Sequence, residues 1–203
     1  MEKISLYFFY YFYLKSIFPQ GLNFVILNIH KFIFNTSTSF IFELNIKRTH
    51  ILPLIFFLQN HTFFQCKQLM DMFAIDINTK FMRFSVLYNL LSLNFNLRFM
   101  LKTEIPFLEN NLQSLHNIYP ASIWLEREIW DMFGIFFIDH PDLRRILTDY
   151  GFEGFPLRKD FPLIGFLEVR YDFDIQYVKY EPLELAQNFR NFQFQSPWEF
   201  KKS

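Results

Sequence analysis

The stretch from Trp124 to Asp172 constrains this chain more than any other. It runs Trp124-Leu125-Glu126-Arg127-Glu128-Ile129-Trp130-Asp131-Met132-Phe133-Gly134, then His140-Pro141-Asp142-Leu143-Arg144-Arg145-Ile146-Leu147-Thr148-Asp149-Tyr150-Gly151-Phe152, then Pro156-Leu157-Arg158-Lys159-Asp160-Phe161-Pro162. More than a third of these positions are charged or are Gly or Pro, set between aromatics, and no single helix or strand period carries them all. Such a segment is either irregular structure held by its own ion pairs or a surface shaped for another protein. The reading here is that it is both.

Its parts have separate physical logics. Pro120 suits a first helical turn, where its missing N–H has no partner to lose, and Gly134 supplies the left-handed residue that ends a helix, so Ala121 to Phe133 reads as helical. Trp124, Glu128 and Asp131 then share one side, Leu125, Ile129, Met132 and Phe133 another, and Arg127 stands one turn before Asp131. Pro141 with Asp142 behind it and Arg144 and Arg145 further on predicts a second helix of about two turns. His140 before that proline reads as a cap or packing residue. Thr148 to Gly151 and Glu153 to Pro156 are turn chemistry. Charges among so many aromatics are partly desolvated, and arginines in that state need carboxylate partners. The plain expectation is internal pairing of Glu126, Glu128, Asp131, Asp142, Asp149 and Asp160 with Arg127, Arg144, Arg145, Arg158 and Lys159, the remainder meeting a partner.

On these residues the chain resembles a known family. Glu126-Arg127-Glu128, then Asp131, His140, Arg144 and Ile146-Leu147 at their spacings, is similar to the signature of the NuoC-type, 30-kDa subunit family of respiratory complex I, NADH:ubiquinone oxidoreductase. Asp149 through Leu163 continues the likeness without a gap, as do Glu168-Val169-Arg170-Tyr171-Asp172 and Glu181 through Gln187; it covers roughly Leu58 to Glu199. The family pattern has His or an aromatic ahead of Pro156, where this chain has Phe155.

The resemblance implies a compact α+β domain followed by an extended C-terminal stretch lying on the neighbouring large subunit (49-kDa, NuoD-type) of the quinone module. It implies a matrix-side place in the peripheral arm at the mitochondrial inner membrane, with no flavin, iron–sulphur cluster or quinone bound by this chain, although the complex uses FMN, iron–sulphur clusters, NADH and ubiquinone. Under that likeness the motif or interface residues are Glu126, Arg127, Glu128, Asp131, His140, Pro141, Arg144, Arg145, Asp149, Arg158, Lys159, Asp160 and Pro162, with Trp198 in the tail.

Composition bounds the rest. At 203 residues the chain can bury a substantial core, and its 20 basic and 20 acidic residues argue against nucleic acid as the main partner, since phosphate binding wants a basic excess. The 31 Phe and 10 Tyr stand against three alanines, Ala74, Ala121 and Ala186. A+T-rich codons specify Phe, Tyr, Ile, Asn and Lys, so the excess reads as the bias of an organelle genome. It blunts hydrophobic periodicity and leaves more aromatic surface than one chain covers, which suits a member of an assembly. The single Cys66 excludes internal disulfides and any cysteine-only metal site, and reads as a small buried hydrophobe.

The opening, Leu6 to Leu14, is apolar and aromatic but is broken by Lys15 and Pro19, short of the roughly 20 residues of a membrane-spanning helix. It is expected to be a helix docked by its aromatic face, with a membrane-surface role as the alternative. Asn23 to Lys31 and Ser39 to Lys47 read as strands joined through Asn35 to Thr38. A helix follows, from Ile51 to about Asn60, with Pro53 in its first turn. Gln68 to Asp76 reads as strand or short helix, and Phe81 to Leu91 with Phe95 to Glu104 as a strand pair. Further on, Glu168 to Asp172 and Gln176 to Tyr180 read as strands, Pro182 to Arg190 as a short helix, and Asn191 to Ser203 as an extended tail. The expected class is α+β: a single mixed, mostly antiparallel sheet with helices on a face, then an extended C-terminal segment. The expected organisation is 1–20 as an aromatic segment, 21–134 as the α+β domain, and 135–203 as the motif-bearing segment and tail.

Catalytic chemistry is tested by elimination. No glycine-rich phosphate loop is present, and His30, His50, His61, His116 and His140 never fall at the spacing of zinc hydrolases. His50, His61 and Cys66 make a poor ligand set. Glu126, Glu128 and His140 would be the acid/base set of a freestanding hydrolase, the competing reading. Against it, both acids lie beside arginines that are expected to lower their pKa, and no nucleophile is evident.

Overall fold

The computed structural model describes residues 10, 12–18, 32–34, 37–39, 41–77, 81–190, 192 and 198. The chain divides into two compact units, Met1–Phe161 and Pro162–Ser203. The expected strand at Asn23 to Lys31 and nearly all of the tail from Asn191 lie outside the described residues.

In the first unit the strands are β1 (Phe32–Phe34), β2 (Ser37–Ser39), β3 (Ile41–Ile46), β4 (Gln68–Asp76), β5 (Met82–Ser92), β6 (Leu97–Pro106), β7 (Asn111–Gln113) and β8 (Phe136–Ile138). The helices are α1 (Ile51–Asn60), entered through a 3-10 turn at Arg48–His50, and α2 (Ser122–Phe133). The central sheet has order β3-β6-β5-β4, with β3 parallel to β6 and the other pairings antiparallel. β1 and β2 pair antiparallel as a separate two-stranded sheet, so Ser39 belongs to that pair and β3 begins at Ile41. The stretch left open between strand and helix, Gln68–Asp76, is the edge strand β4, with a bulge between Leu69 and Asp71.

Period-two alternation builds the core. Phe84, Val86, Tyr88 and Leu90 of β5 lie on the same face as Phe99, Leu101 and Ile105 of β6 and Leu44 and Ile46 of β3, all buried. α1 adds Ile51, Leu54, Ile55 and Leu58. Full burial of such side chains contributes roughly 1.5–3 kcal/mol each. Of the expected opening helix, residues 6–9 and 11 lie outside the described residues; residues 12–17 are helical, with Leu14 buried, Tyr13 5.5 Å from His61 and, just beyond the helix, Phe18 5.6 Å from Phe57. Among the described residues no helix is long and apolar enough to cross a membrane.

α2 is the element that positions the motif. It links β7 to β8, which pair in parallel, and packs against β4. Gly134 ends it at φ 73° with its N–H on the Trp130 carbonyl at 2.9 Å. A Cβ there would come within 2.5 Å of Arg158 Nη2 and 2.6 Å of the Phe155 ring, so glycine is required twice over.

Two expected helices do not form. Residues 141–148 are irregular because the N–H groups of Ile146, Leu147 and Thr148 go to one carboxylate of α2 instead of to carbonyls four residues back. Residues 183–190 are also non-helical; β10 (Tyr177–Pro182) runs through Pro182 in antiparallel pairing with β9 (Leu167–Asp172), and the Leu183 N–H goes to the Phe166 carbonyl at 3.1 Å. This hairpin is the regular structure described for the second unit.

Candidate functional site: an ionic elbow around one helix

The sequence places Asp131 with Trp124 and Glu128 on an exposed stripe. Trp124 is 62% exposed and Glu128 is exposed, but Asp131 is fully buried, because the loop after Pro141 folds over the C-terminal half of α2. Asp131 Oδ2 accepts the N–H groups of Ile146 (3.1 Å), Leu147 (2.7 Å) and Thr148 (3.0 Å), and Oδ1 accepts the Thr148 hydroxyl at 2.6 Å. Arg145 Nη1 adds a longer contact at 3.4 Å and also donates to the Gly154 carbonyl at 2.9 Å. Burial by itself raises the pKa of this carboxyl, but the Thr148 hydroxyl and the three backbone donors outweigh it and hold the group below the usual carboxylate range. One side chain thus shapes a loop that has no regular secondary structure.

Arg127 does not pair with Asp131. Its guanidinium lies 5.0 Å from the Trp124 ring and its Nε donates to the Arg144 carbonyl at 3.0 Å, while Arg144 pairs with Asp142 at 2.7 Å. Asp149 accepts the N–H of Tyr150 within its own turn. Pro141 is exposed at the start of the loop.

Glu126 faces the interior. It is fully buried, with Oε2 accepting the Ser114 hydroxyl at 2.5 Å and Oε1 the Leu115 N–H at 2.7 Å. Burial pushes its pKa up; the hydrogen bonds and the nearby His140 offset only part of that. The expectation of a lowered value fails because no arginine reaches this pocket. His140 Nδ1 accepts the Asp142 N–H at 3.1 Å, so the neutral ring carries its proton on Nε2, which lies 3.3 Å from the Ile123 carbonyl and 3.8 Å from Glu126 Oε2. His140 caps a turn, not a helix.

The third charged group closes against the sheet. Arg158 Nε donates to the Phe133 carbonyl at 2.6 Å, at the negative end of α2, and its guanidinium lies 4.2 Å from the Phe155 ring. Phe155 also takes Arg145 at 5.0 Å and meets Trp130 edge-on, which explains why an aromatic fits this position. The Lys159 N–H reaches Asp76 at 2.9 Å, and Asp160 pairs with Arg83 at 2.9 Å, which also holds Asp76 at 3.1 Å. Asp76, Arg83 and Ser114 were not legible as site residues, since their roles come from contacts 83, 77 and 12 positions away in the chain. The one available hint was a carboxylate, Asp76, in an apolar strand. In the second unit, Pro162 accepts the Gly165 N–H at 3.0 Å and Trp198 is 85% exposed.

This arrangement does not make a hydrolase. Glu126 and His140 are brought together, but both side chains are shut away from solvent, and Glu128 lies on the exposed stripe. Metal chemistry fares no better. Cys66 is fully buried and its thiol is pushed up to about 12 by burial, His61 meets Tyr13 at 3.0 Å, and among the described residues no cluster of His, Cys, Asp and Glu has the makings of a metal site.

Fold and site together define a class: an α+β domain whose charged motif shapes a rigid elbow on one helix. A solved archaeal structure, the membrane-bound sulfane sulfur reductase, shares the fold with a chain matched at TM-score 0.56 and 20% identity over 74% of this chain and 84% of that one. This chain belongs to the respiratory-chain NADH dehydrogenase, 30 Kd subunit family, whose model matches residues 44–166. It is 51% identical to NADH-ubiquinone oxidoreductase subunit 9 of Reclinomonas americana over 156 residues, 77% of this chain and 76% of that protein. It is 46% identical to NADH dehydrogenase (ubiquinone) iron-sulfur protein 3 of Solanum tuberosum over 166 residues, 82% of each. The potato protein's name mentions iron and sulphur, but a cluster held by cysteines needs several thiolates, and the one thiol here does not fit such a group.

Proposed function

We propose that this chain is a structural subunit of the peripheral arm of mitochondrial NADH:ubiquinone oxidoreductase, and that it carries no redox centre. Its work is to hold the quinone-reducing large subunit in register while electrons pass from NADH to ubiquinone, on the matrix side of the inner membrane. The observation that carries this reading is the use of the motif. Glu126 and Asp131 are buried and hydrogen-bonded to their own backbone, so their chemistry goes into the shape of a surface, while Trp124, Leu147 and Tyr150 around them remain 60–94% exposed. Aromatic and arginine side chains displayed on a rigid frame are the composition of a protein interface.

The test is a purified full chain beside membranes depleted of it. The chain alone is expected to be colourless and to oxidise no NADH; depleted membranes are expected to lose NADH:ubiquinone reduction together with assembled peripheral arm, and to regain both when the chain is restored. Turnover by the isolated chain, or full activity in depleted membranes, would refute the reading.

A further inference from the structure

Beside the elbow, a cleft of about 520 Å³ is lined by Arg127, Arg144, Arg145, Thr148, Asp149 and Tyr150. Each of its three guanidiniums is tethered by part of its donor set. Arg127 uses Nε on the Arg144 carbonyl, Arg144 uses Nε and Nη2 on Asp142, and Arg145 uses Nη1 on Asp131, Thr148 and Gly154. Both Nη groups of Arg127, Nη1 of Arg144, and Nε and Nη2 of Arg145 make no hydrogen bond to the described residues, although the guanidiniums of Arg127 and Arg145 lie over the Trp124 and Phe155 rings. Arginines held in place with donors to spare are pre-organised for an anion, since the planar fork suits two acceptor oxygens.

We infer that this cleft receives a carboxylate side chain of a partner protein subunit. The charge balance selects the ligand. Asp142 and Asp131 beside Arg144 and Arg145, together with Asp149, offset the three arginines, so the cleft has no excess charge to hold a multiply charged phosphate, while the unused guanidinium donors still suit the two oxygens of a single carboxylate. The rim selects a protein: Trp124 is 62% exposed, Leu147 60% and Tyr150 94%, an apolar border that a folded partner covers and a small acid does not. This inference rests on the assembly reading and supplies its contact chemistry.

The test places an amine in the cleft. An Arg127→Lys chain, or Arg144→Lys should the first misfold, is expressed in place of the native one, and membranes are treated with a zero-length carbodiimide that joins amines to carboxylates. A new amide between the substituted position and an Asp or Glu of another subunit is expected. Arg127→Glu is expected to lower the assembled fraction about tenfold, the loss of one part-desolvated charge pair with repulsion added. An Arg→Lys chain that assembles yet yields no intermolecular link, or links only to its own Asp142 or Asp149, overturns the carboxylate inference and leaves the assembly reading intact. Purified native chain that floats with anionic phospholipid vesicles, and loses this on Arg127→Glu, assigns the cleft to a membrane surface and overturns it too. Native chain that never comigrates with the oxidoreductase on native gels removes both.

Discussion

Glu126 and Asp131 are five positions apart on one helix, both fully buried, and their environments push them in opposite directions. Asp131 faces three N–H groups and a hydroxyl; Glu126, more deeply enclosed, takes one N–H and the Ser114 hydroxyl, with His140 3.8 Å away, and these offset only part of the cost of burial. Their pH signatures therefore differ in sign. With its folded pKa lowered, Asp131 contributes stability that is present above the ordinary carboxylate range and lost as pH falls through the depressed value. With its folded pKa raised, Glu126 binds its proton more tightly when folded, so its contribution falls as pH rises from the ordinary carboxylate range through the raised value. Glu126→Gln keeps an acceptor for the Leu115 N–H and is expected to cost less than about 1 kcal/mol near neutrality, while the native chain loses stability relative to it as pH rises. Denaturant titrations of both proteins across the pH range check this. Asp131→Asn puts an amide N–H₂ where only acceptors fit, and is expected to cost about 2–4 kcal/mol, nearly as much as Asp131→Ala, by the same measurement.

At the scale of elements, α2 carries the site because its end is fixed. Gly134 turns the chain left-handed, Arg158 covers the last carbonyl, and Phe155 sits beneath both arginines. Gly134→Ala combines left-handed strain of about 1–2 kcal/mol with displacement of Arg158 and Phe155, for an expected loss of about 2–4 kcal/mol. A lowered melting temperature, with loss of near-ultraviolet signal from Trp130, is the expected readout. The helix itself was readable from Pro120, Gly134 and its apolar spacing. The loop after it was not: Pro141, Asp142 and the two arginines are a fair helix-start pattern, and it is overridden because Asp131 offers the same N–H groups a charged acceptor.

At the scale of the whole molecule, the buried cluster is drawn from residues between Leu14 and Phe137, all within the first unit. Among its described residues the second unit has no comparable core. Its β9–β10 hairpin leaves Val169, Tyr171, Tyr177, Val178 and Tyr180 about half exposed and so displays apolar groups on both strands; Arg170 and Lys179 hold Glu181 down to about 2 at the surface. A lone two-stranded hairpin is marginal in water, so limited proteolysis of the isolated chain is expected to remove residues beyond Phe161 first, and the assembled enzyme to protect them. A chain ended after Phe161 is expected to keep its melting temperature within about 3 °C and to lose assembly, since the core stays whole.

The sequence by itself determined the α+β class, the α1 and α2 helices, the β5–β6 pairing and the family, because these rest on short-range periodicity, on Gly and Pro punctuation and on an ungapped motif. Only the tertiary structure decided which motif charges are buried. Burial depends on what folds over a side chain: Asp131 is covered by its own loop, Glu126 lies within the helix's packing, and Asp76 meets a turn 83 residues further along the chain. A carboxylate looks the same in a sequence whether three backbone N–H groups or open water will face it, and that difference sets both its pKa and its work.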